Sequence, residues 1–205
     1  MNITVLIVAV TAITSFLAFS NHKFFDELIF WPYRIWRNSE WYRLVSCGFI
    51  HADISHLLFN MIALYSFGMN VEAYFTQIFQ GKGLTLFVVM YFVAIAGADV
   101  YNLFTRKDDY GYRSLGASGG VSAVVFASIL LDPFSKIYIM FIPIGIPAFA
   151  FGGIYLLYCA YMAKRGGDNI GHMAHFTGSI FGFIFPIIFA PELLPRFIHM
   201  LSTGR

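Results

Sequence analysis

An all-α membrane protein, a bundle of six transmembrane helices, is the fold this sequence predicts, and three observations predict it. First, 59% of the 205 residues are hydrophobic and only 12% are charged, where a soluble domain carries roughly 25% charged residues. Second, the apolar residues fall into long continuous runs separated by polar connections. Third, those runs lack the short alternating segments of a transmembrane barrel. A soluble fold of this length could not hide so much apolar surface, so the bilayer is the solvent for most of the chain. The length suits one compact bundle, and residues 1–205 are read as a single membrane domain. The net charge of +2 says nothing about nucleic acid, but the sequence has no basic stripe or aromatic-basic interleaving, and no nucleic-acid partner is expected.

A membrane-spanning helix needs about 20 mostly apolar residues, and six stretches qualify. The first is 3–19. It has neither the basic start nor the small-residue cleavage site of a secretory signal, so it is read as a retained helix. Residues 21–43 mix charges with Trp31, Tyr33, Trp36, Trp41 and Tyr42, the composition of a membrane–water interface, and are read as an interfacial loop with short helical pieces. The second helix is predicted over 54–73 and the third over 84–104, joined by a short connection at 75–83. A charged segment, 106–113, leads to the fourth helix, 115–131, and 132–136 is a short link. Pro143 and Pro147 precede or open the fifth helix, 146–163, which contains Gly152 and Gly153. These imply a helix start and a tolerated kink, or else a loosely held helix that tilts to admit a substrate. The link 164–169, with Gly166 and Gly167, is expected to be mobile, and the sixth helix covers 170–190. Cys47 and Cys159 lie in apolar stretches and are read as buried small residues, not as a disulfide.

Ionisable and strongly polar side chains are rare inside apolar helices and are functional candidates there. In or near the helices these are His51, Asp53, His56, Asn60, Asp99, Asp168, His172 and His175. His56 and Asn60 are four apart and share a helix face. Ser118 lies in Gly116-Ala117-Ser118-Gly119-Gly120. Formally this is the G-x-S-x-G nucleophile elbow, but that motif needs a strand–turn–helix setting, which this chain does not predict. A serine becomes a nucleophile when a base takes its proton, and His175 is the best placed base. Gly171, Ala174, Gly178 and Gly182 surround it with small residues, Gly178 and Gly182 at G-x-x-x-G spacing. The start of the fourth helix is equally smooth, so Ser118 and His175 are expected within hydrogen-bond reach. Ser118 at a helix N-terminus offers free backbone N–H groups to a developing oxyanion, and His56 and Asn60 can add side-chain donors. No third residue is evident to orient His175, which leaves a Ser–His dyad with no metal and no cofactor.

These residues resemble those of the rhomboid family of intramembrane serine proteases. Glu40-Trp41-Tyr42-Arg43 is similar to the Trp-Arg element of the family's first loop. The segment from His51 to Asn60 is similar to its H-x-x-x-x-H-x-x-x-N segment. Phe67-Gly68 with Glu72 resembles the end of that helix, Gly116-Ala117-Ser118-Gly119 the nucleophile motif, and Ala174-His175 with Gly178 the base motif. Five motifs in this order cover most of the chain. The resemblance implies a rhomboid-like bundle with Ser118 as nucleophile and His175 as general base. His56, Asn60 and the Ser118 N–H would line the oxyanion hole. Trp41 and Arg43 would be structural, His51 would support the site by hydrogen bonding, and Gly116, Gly119 and Gly178 would shape it. It implies transmembrane protein substrates cut in or near the bilayer. In some family members a tyrosine four residues after the serine packs on the histidine. Here that position is Ser122, so another residue must hold the ring.

The family topology puts the N-terminus in the cytoplasm, and a bare six-helix core points to a bacterial inner membrane. That orientation leaves Lys23, Arg34, Arg37, Arg43, Arg106, Lys107, Arg113, Lys164 and Arg165 outside. Only Lys82, Lys136, Arg196 and Arg205 are then inside, against the positive-inside rule. Three alternatives compete with a protease. One is an inactive rhomboid-like binding protein, although such relatives typically lack the serine or the histidine. Another is a zinc hydrolase using His51, His56, His172 and His175, although there is no H-E-x-x-H. The third is a proton path through Asp99, which is more simply placed near the end of its helix.

Overall fold

Helices begin where the sequence supplies a cap. In the computed structural model, which describes residues 2–138, 144–167 and 170–204, the Asn2 side chain accepts the Val5 amide and opens α1 (Ile3–Ser20). Asn21 accepts from Phe24 and opens α2 (His22–Leu28). Pro32, its fixed φ suited to a first turn, opens α3 (Pro32–Asn38), which ends at Ser39 with a φ of 59°. A short α4 (Arg43–Ser46) and a 3-10 turn (Cys47–Phe49) complete the first loop, so the interfacial segment holds the short helical pieces its composition predicts. Asp53 then accepts the His56 amide at 2.7 Å and opens α5 (Ile54–Phe79).

The expected connection at 75–83 is mostly helix. α5 runs on to Phe79, where Gln80 turns to a φ of 48°, and a single 3-10 turn joins it to α6 (Gly83–Ala98). Nothing in the 75–83 stretch breaks a helix before Gly81, which explains the longer α5. Asp99 separates α6 from α7 (Val100–Thr105), accepting from Asn102 at 2.7 Å and from Ser114 at 2.9 Å. It is a junction residue, as its placement near a helix end implied. α8 (Ser118–Leu131), α9 (Ala148–Arg165), α10 (His172–Phe189) and α11 (Leu193–Thr203) follow. The all-α expectation misses one antiparallel ribbon, β1 (Lys136–Tyr138) with β2 (Gly145–Pro147). Three-residue strands leave too short a pattern for periodicity to register. Pro147 caps α9, whereas Pro143, Asp168 and Arg205 lie outside the described residues.

Each of the six predicted segments is helical over most of its length. Among the described residues, three helical stretches are long and apolar enough to cross a membrane: Ile3–Ser20, Ile54–Thr105 and His172–Phe189. α8 is apolar but has 14 residues, about 21 Å of helix against a hydrocarbon core of roughly 30 Å. It is also the centre of the molecule, packed by α10, α5 and α6, and every residue of it except Ser118 and Val125 is buried. The outer helices carry exposed apolar side chains such as Leu157, Ile154 and Ile188, which suits contact with lipid.

Several buried polar groups are matched, although Thr11 Oγ1, Arg43 Nη2 and Tyr91 Oη have no hydrogen-bond partner among the described residues. The buried Glu72 carboxylate on α5 accepts the Ile3 amide (3.0 Å), the Thr4 amide (2.8 Å) and the Thr4 hydroxyl (2.7 Å). A negative charge thereby meets the free N–H groups at the start of α1. Gly68, one turn before, is needed for this approach, because a Cβ there would stand 2.7 Å from Thr4 Cγ2. In the first loop the buried Arg43 guanidinium donates to the Asp26 and Ile29 carbonyls (2.7 and 2.8 Å) and to Glu40. Burial would raise the Glu40 carboxyl, but hydrogen bonds from Asn38, Arg43 and Arg34 outweigh it and hold the group below its usual range. Trp41 packs edge-on against Trp36. The loop is tied to the segment before α8 by reciprocal backbone bonds between Phe30 and Ser114 (3.0 and 3.1 Å) and by Trp31 Nε1 on the Tyr110 carbonyl (3.0 Å). Arg43 and Trp41 thus make their contacts within the first loop.

Candidate active site

Ser118 is the first residue of α8, and α8 starts late because Gly116 takes a φ of +112°, a conformation that favours glycine. Gly116 also lies under the His56 ring, where a Cβ would come within 2.8 Å of Cε1. Its amide donates to the Cys47 carbonyl at 2.9 Å. The expected segment 115–131 thus loses its first three residues to a non-helical turn, and Ser118 sits at a helix end that no side chain caps. By the geometry of any helix, the first backbone N–H groups have no acceptor within it.

His51 reaches this point from the other side. Its Nδ1 lies 3.0 Å from Ser15 Oγ, and that hydroxyl donates to the Phe49 carbonyl at 2.9 Å. Because the serine hydrogen is committed to Phe49, Nδ1 carries the ring proton and Nε2 is left as acceptor. Nε2 faces the Ala117 amide at 3.5 Å. Burial, then the neighbouring His56, presses the His51 pKa down to about 3, so the neutral form that this network needs persists through the physiological range. The His51 and His56 rings meet edge to face at 4.9 Å. Asn60 is buried and donates to the His56 carbonyl at 3.0 Å, which occupies one of its two N–H groups.

The base candidate comes from α10. A Cβ on Gly178 would lie 2.3 Å from the Gly119 carbonyl oxygen, and one on Gly182 would lie 2.1 Å from that of Ala123. The two backbones touch, as the small-residue faces predicted. Gly171 does not share in this, since it meets nothing nearer than Ala174 Cβ at 3.6 Å. Ser118 is the residue before Gly119, and His175 is one turn before Gly178. Among the described residues no hydrogen bond joins Ser118 to His175. The helices are brought together and the bond itself is unmade, a looseness common in enzymes without substrate.

One further aromatic residue belongs to the site. Tyr155 of α9 lies parallel to the His175 ring, at 6.3 Å between centroids and 15° between planes, and its hydroxyl is 3.5 Å from Ser122 Oγ. The ring missing at position 122 is supplied from another helix, and the small Ser122 leaves room for it. No local motif marks Tyr155 in the sequence. The His51 and His56 rings lie 4.9 Å apart, and those of His172 and His175 lie 6.2 Å apart. Cys159, read from sequence as packing, brings its sulfur to the second pair.

A family model described as the rhomboid domain matches residues 38–192, a span that contains Ser118 and His175 and all the elements around them. The chain is 28% identical to "RHOMBOID-like protein 12, mitochondrial" of Arabidopsis thaliana, the match covering 66% of this chain and 43% of that protein. It is 26% identical to "RHOMBOID-like protein 4" of the same plant, over 74% of this chain and 36% of that protein. The chain therefore spans less than half the length of these curated relatives. Both are plant proteins, so they lend no support to the bacterial membrane that the bare core implied.

Proposed function

The chain belongs to the rhomboid family, and from that premise we propose that it is an intramembrane serine endopeptidase that cuts transmembrane protein substrates in or near the bilayer. The observation that carries the reading is the backbone contact between Gly119 and Gly178, which sets the neighbour of one candidate residue against the helix of the other. In the proposed reaction the neutral His175 takes the Ser118 proton as Oγ attacks the scissile carbonyl. It then returns that proton to the leaving amine. The uncapped N-terminus of α8, with His56 and Asn60, stabilises the oxyanion. His51 holds the Ala117 amide and so the approach to the serine. Water completes the second half by hydrolysing the acyl-enzyme.

Tyr155 is assigned a positioning role, as the flat wall against which His175 rests. Labelling with a serine-directed fluorophosphonate tests both parts of the reading. Wild-type protein takes up the probe, Tyr155→Phe reacts at a similar rate, and Tyr155→Ala reacts about 10-fold more slowly, the order of 1.4 kcal/mol in the barrier. A folded wild type that never reacts with a probe shown to enter the membrane returns the inactive binding protein. Equal rates in Phe and Ala variants remove the role of Tyr155.

The membrane topology proposed is six passages with the N-terminus cytoplasmic. The opposing charge count weakens once partners are considered. Arg34 and Arg43 pair with Glu40, Arg37 with Asp108 and Arg106 with Asp109, and Arg113 lies 4.0 Å over the Trp31 ring. Five of the nine outer cations thus have a partner, Arg43 buried, Arg34 half-buried and the other three exposed. A reporter fused to the C-terminus is expected on the cytoplasmic side, as six passages require, and an external reporter overturns the topology.

A further inference from the structure

A second chemistry converges on His175. The sulfur of Cys159 and one ring nitrogen each of His172 and His175 lie within 4.8 Å of one another. His172 and His175 are three apart on α10 and share a face, and Cys159 comes from α9, which packs against it. Cys159 and His172 are buried, whereas His175 is half-buried, which leaves the cluster open on the side of the proposed active site. Two imidazoles and one thiolate are the donor set of a soft to borderline divalent ion. With bonds of about 2.3 Å to sulfur and about 2.0 Å to nitrogen, ligands of a tetrahedral zinc ion stand roughly 3.3–3.6 Å apart. Contraction by about 1 Å, within reach of side-chain rotation, would close the present spacing on an ion and leave its fourth position to water.

We propose that Cys159, His172 and His175 form a Zn²⁺ site whose occupation switches the enzyme off. On binding, the Cys159 thiol releases its proton to water as the Zn–S bond forms, with no change of oxidation state. Each imidazole gives the ion a ring-nitrogen lone pair. For His175 that is the lone pair needed to take the Ser118 proton, so a zinc-loaded molecule has no base. The binding half of the proposal stands on the three side chains alone, and the inhibitory half rests on the protease reading above.

The test separates those halves. Co²⁺ is titrated into the metal-free protein and followed by its thiolate charge-transfer absorption. In parallel, fluorophosphonate labelling is measured against Zn²⁺, with and without a chelator. Wild type is expected to show the cobalt–thiolate band, and its labelling is expected to fall at least 10-fold with Zn²⁺ and to recover with chelator. Cys159→Ala is expected to keep its labelling without metal, to lose the band and to need more Zn²⁺ for the same inhibition. The shift should be at least the roughly 10–100-fold that loss of an outer-shell partner costs a metal site. His172→Asn should behave likewise, and serves if the alanine variant does not fold. Absence of the cobalt–thiolate band in folded wild type overturns the site, even if labelling is strong. A band with labelling unchanged by Zn²⁺ overturns the switch. A band in a protein that never labels leaves the metal site standing and removes the protease reading instead.

Discussion

Ser118→Ala abolishes fluorophosphonate labelling and substrate cleavage together, and His175→Ala does nearly the same. Removing the nucleophile or base from a serine hydrolase costs on the order of 10⁴–10⁶ in kcat, the largest effect expected of any substitution here. The two losses should not add, because the residues act as a unit. The double variant is therefore expected to sit at the level of the single ones, with Ser118→Ala also removing the site of covalent attachment. Acidification is expected to act like His175→Ala in graded form. An imidazolium cannot accept the Ser118 proton, so the labelling rate falls as the base is protonated. A rate that does not fall at any acidity at which the protein stays folded counts against His175 as the base. Labelling retained in Ser118→Ala places the reactive hydroxyl elsewhere and ends the dyad assignment.

Gly178→Val is the second large effect, and it acts at a distance from both reacting groups. A Cβ at Gly178 meets the Gly119 carbonyl oxygen at 2.3 Å and its Cα at 3.0 Å. The obstacle is backbone, which cannot rotate aside, so α8 and α10 must separate. Overpacking of this kind costs about 1–3 kcal/mol in a well-packed core, which leaves the protein inserted and folded. A displacement of about 1 Å between catalytic groups is enough to cost on the order of 100-fold in rate. The expected result is thus a membrane-inserted protein of near-normal yield with labelling down at least 100-fold. Gly153→Val on α9 is the control, since nothing lies within 4 Å of a Cβ there. Normal labelling in Gly178→Val removes the close contact of α8 and α10 from the argument for the site.

The close approach of the helices that carry Ser118 and His175 was legible in the sequence, because two local signals pointed to it. Polar residues stand out in an apolar run, and small residues line both helix faces. His51 stood out as an ionisable residue beside an apolar helix, but its supporting role was legible only through family likeness, and its partner Ser15 was not legible at all. A serine in an apolar helix carries no sign of the carbonyl and imidazole that it will meet 34 and 36 residues away. Tyr155 is the same case. An aromatic residue in a membrane helix is ordinarily packing, and only the approach of α9 to α10 sets one ring parallel to that of His175. The extension of α5 to Phe79, and the short ribbon of β1 and β2, were missed because neither leaves a pattern long enough to read.

What the sequence determined by itself is the solvent and the chemistry available in it. Runs of about 20 apolar residues require the bilayer, and a serine, histidines and an asparagine among glycines limit the reactions that such a bundle can host. What only the tertiary structure decided is where those groups face. Gly116 turns the chain to a φ of +112° and starts α8 at Ser118, which makes the central helix short and leaves the serine at its open end. The contact of α9 with α10 chooses Tyr155 and Cys159, out of a whole helix, as neighbours of His175. Periodicity fixes which residues share a face of one helix, but the face a second helix presents depends on the packing of all the others, and that information is not local.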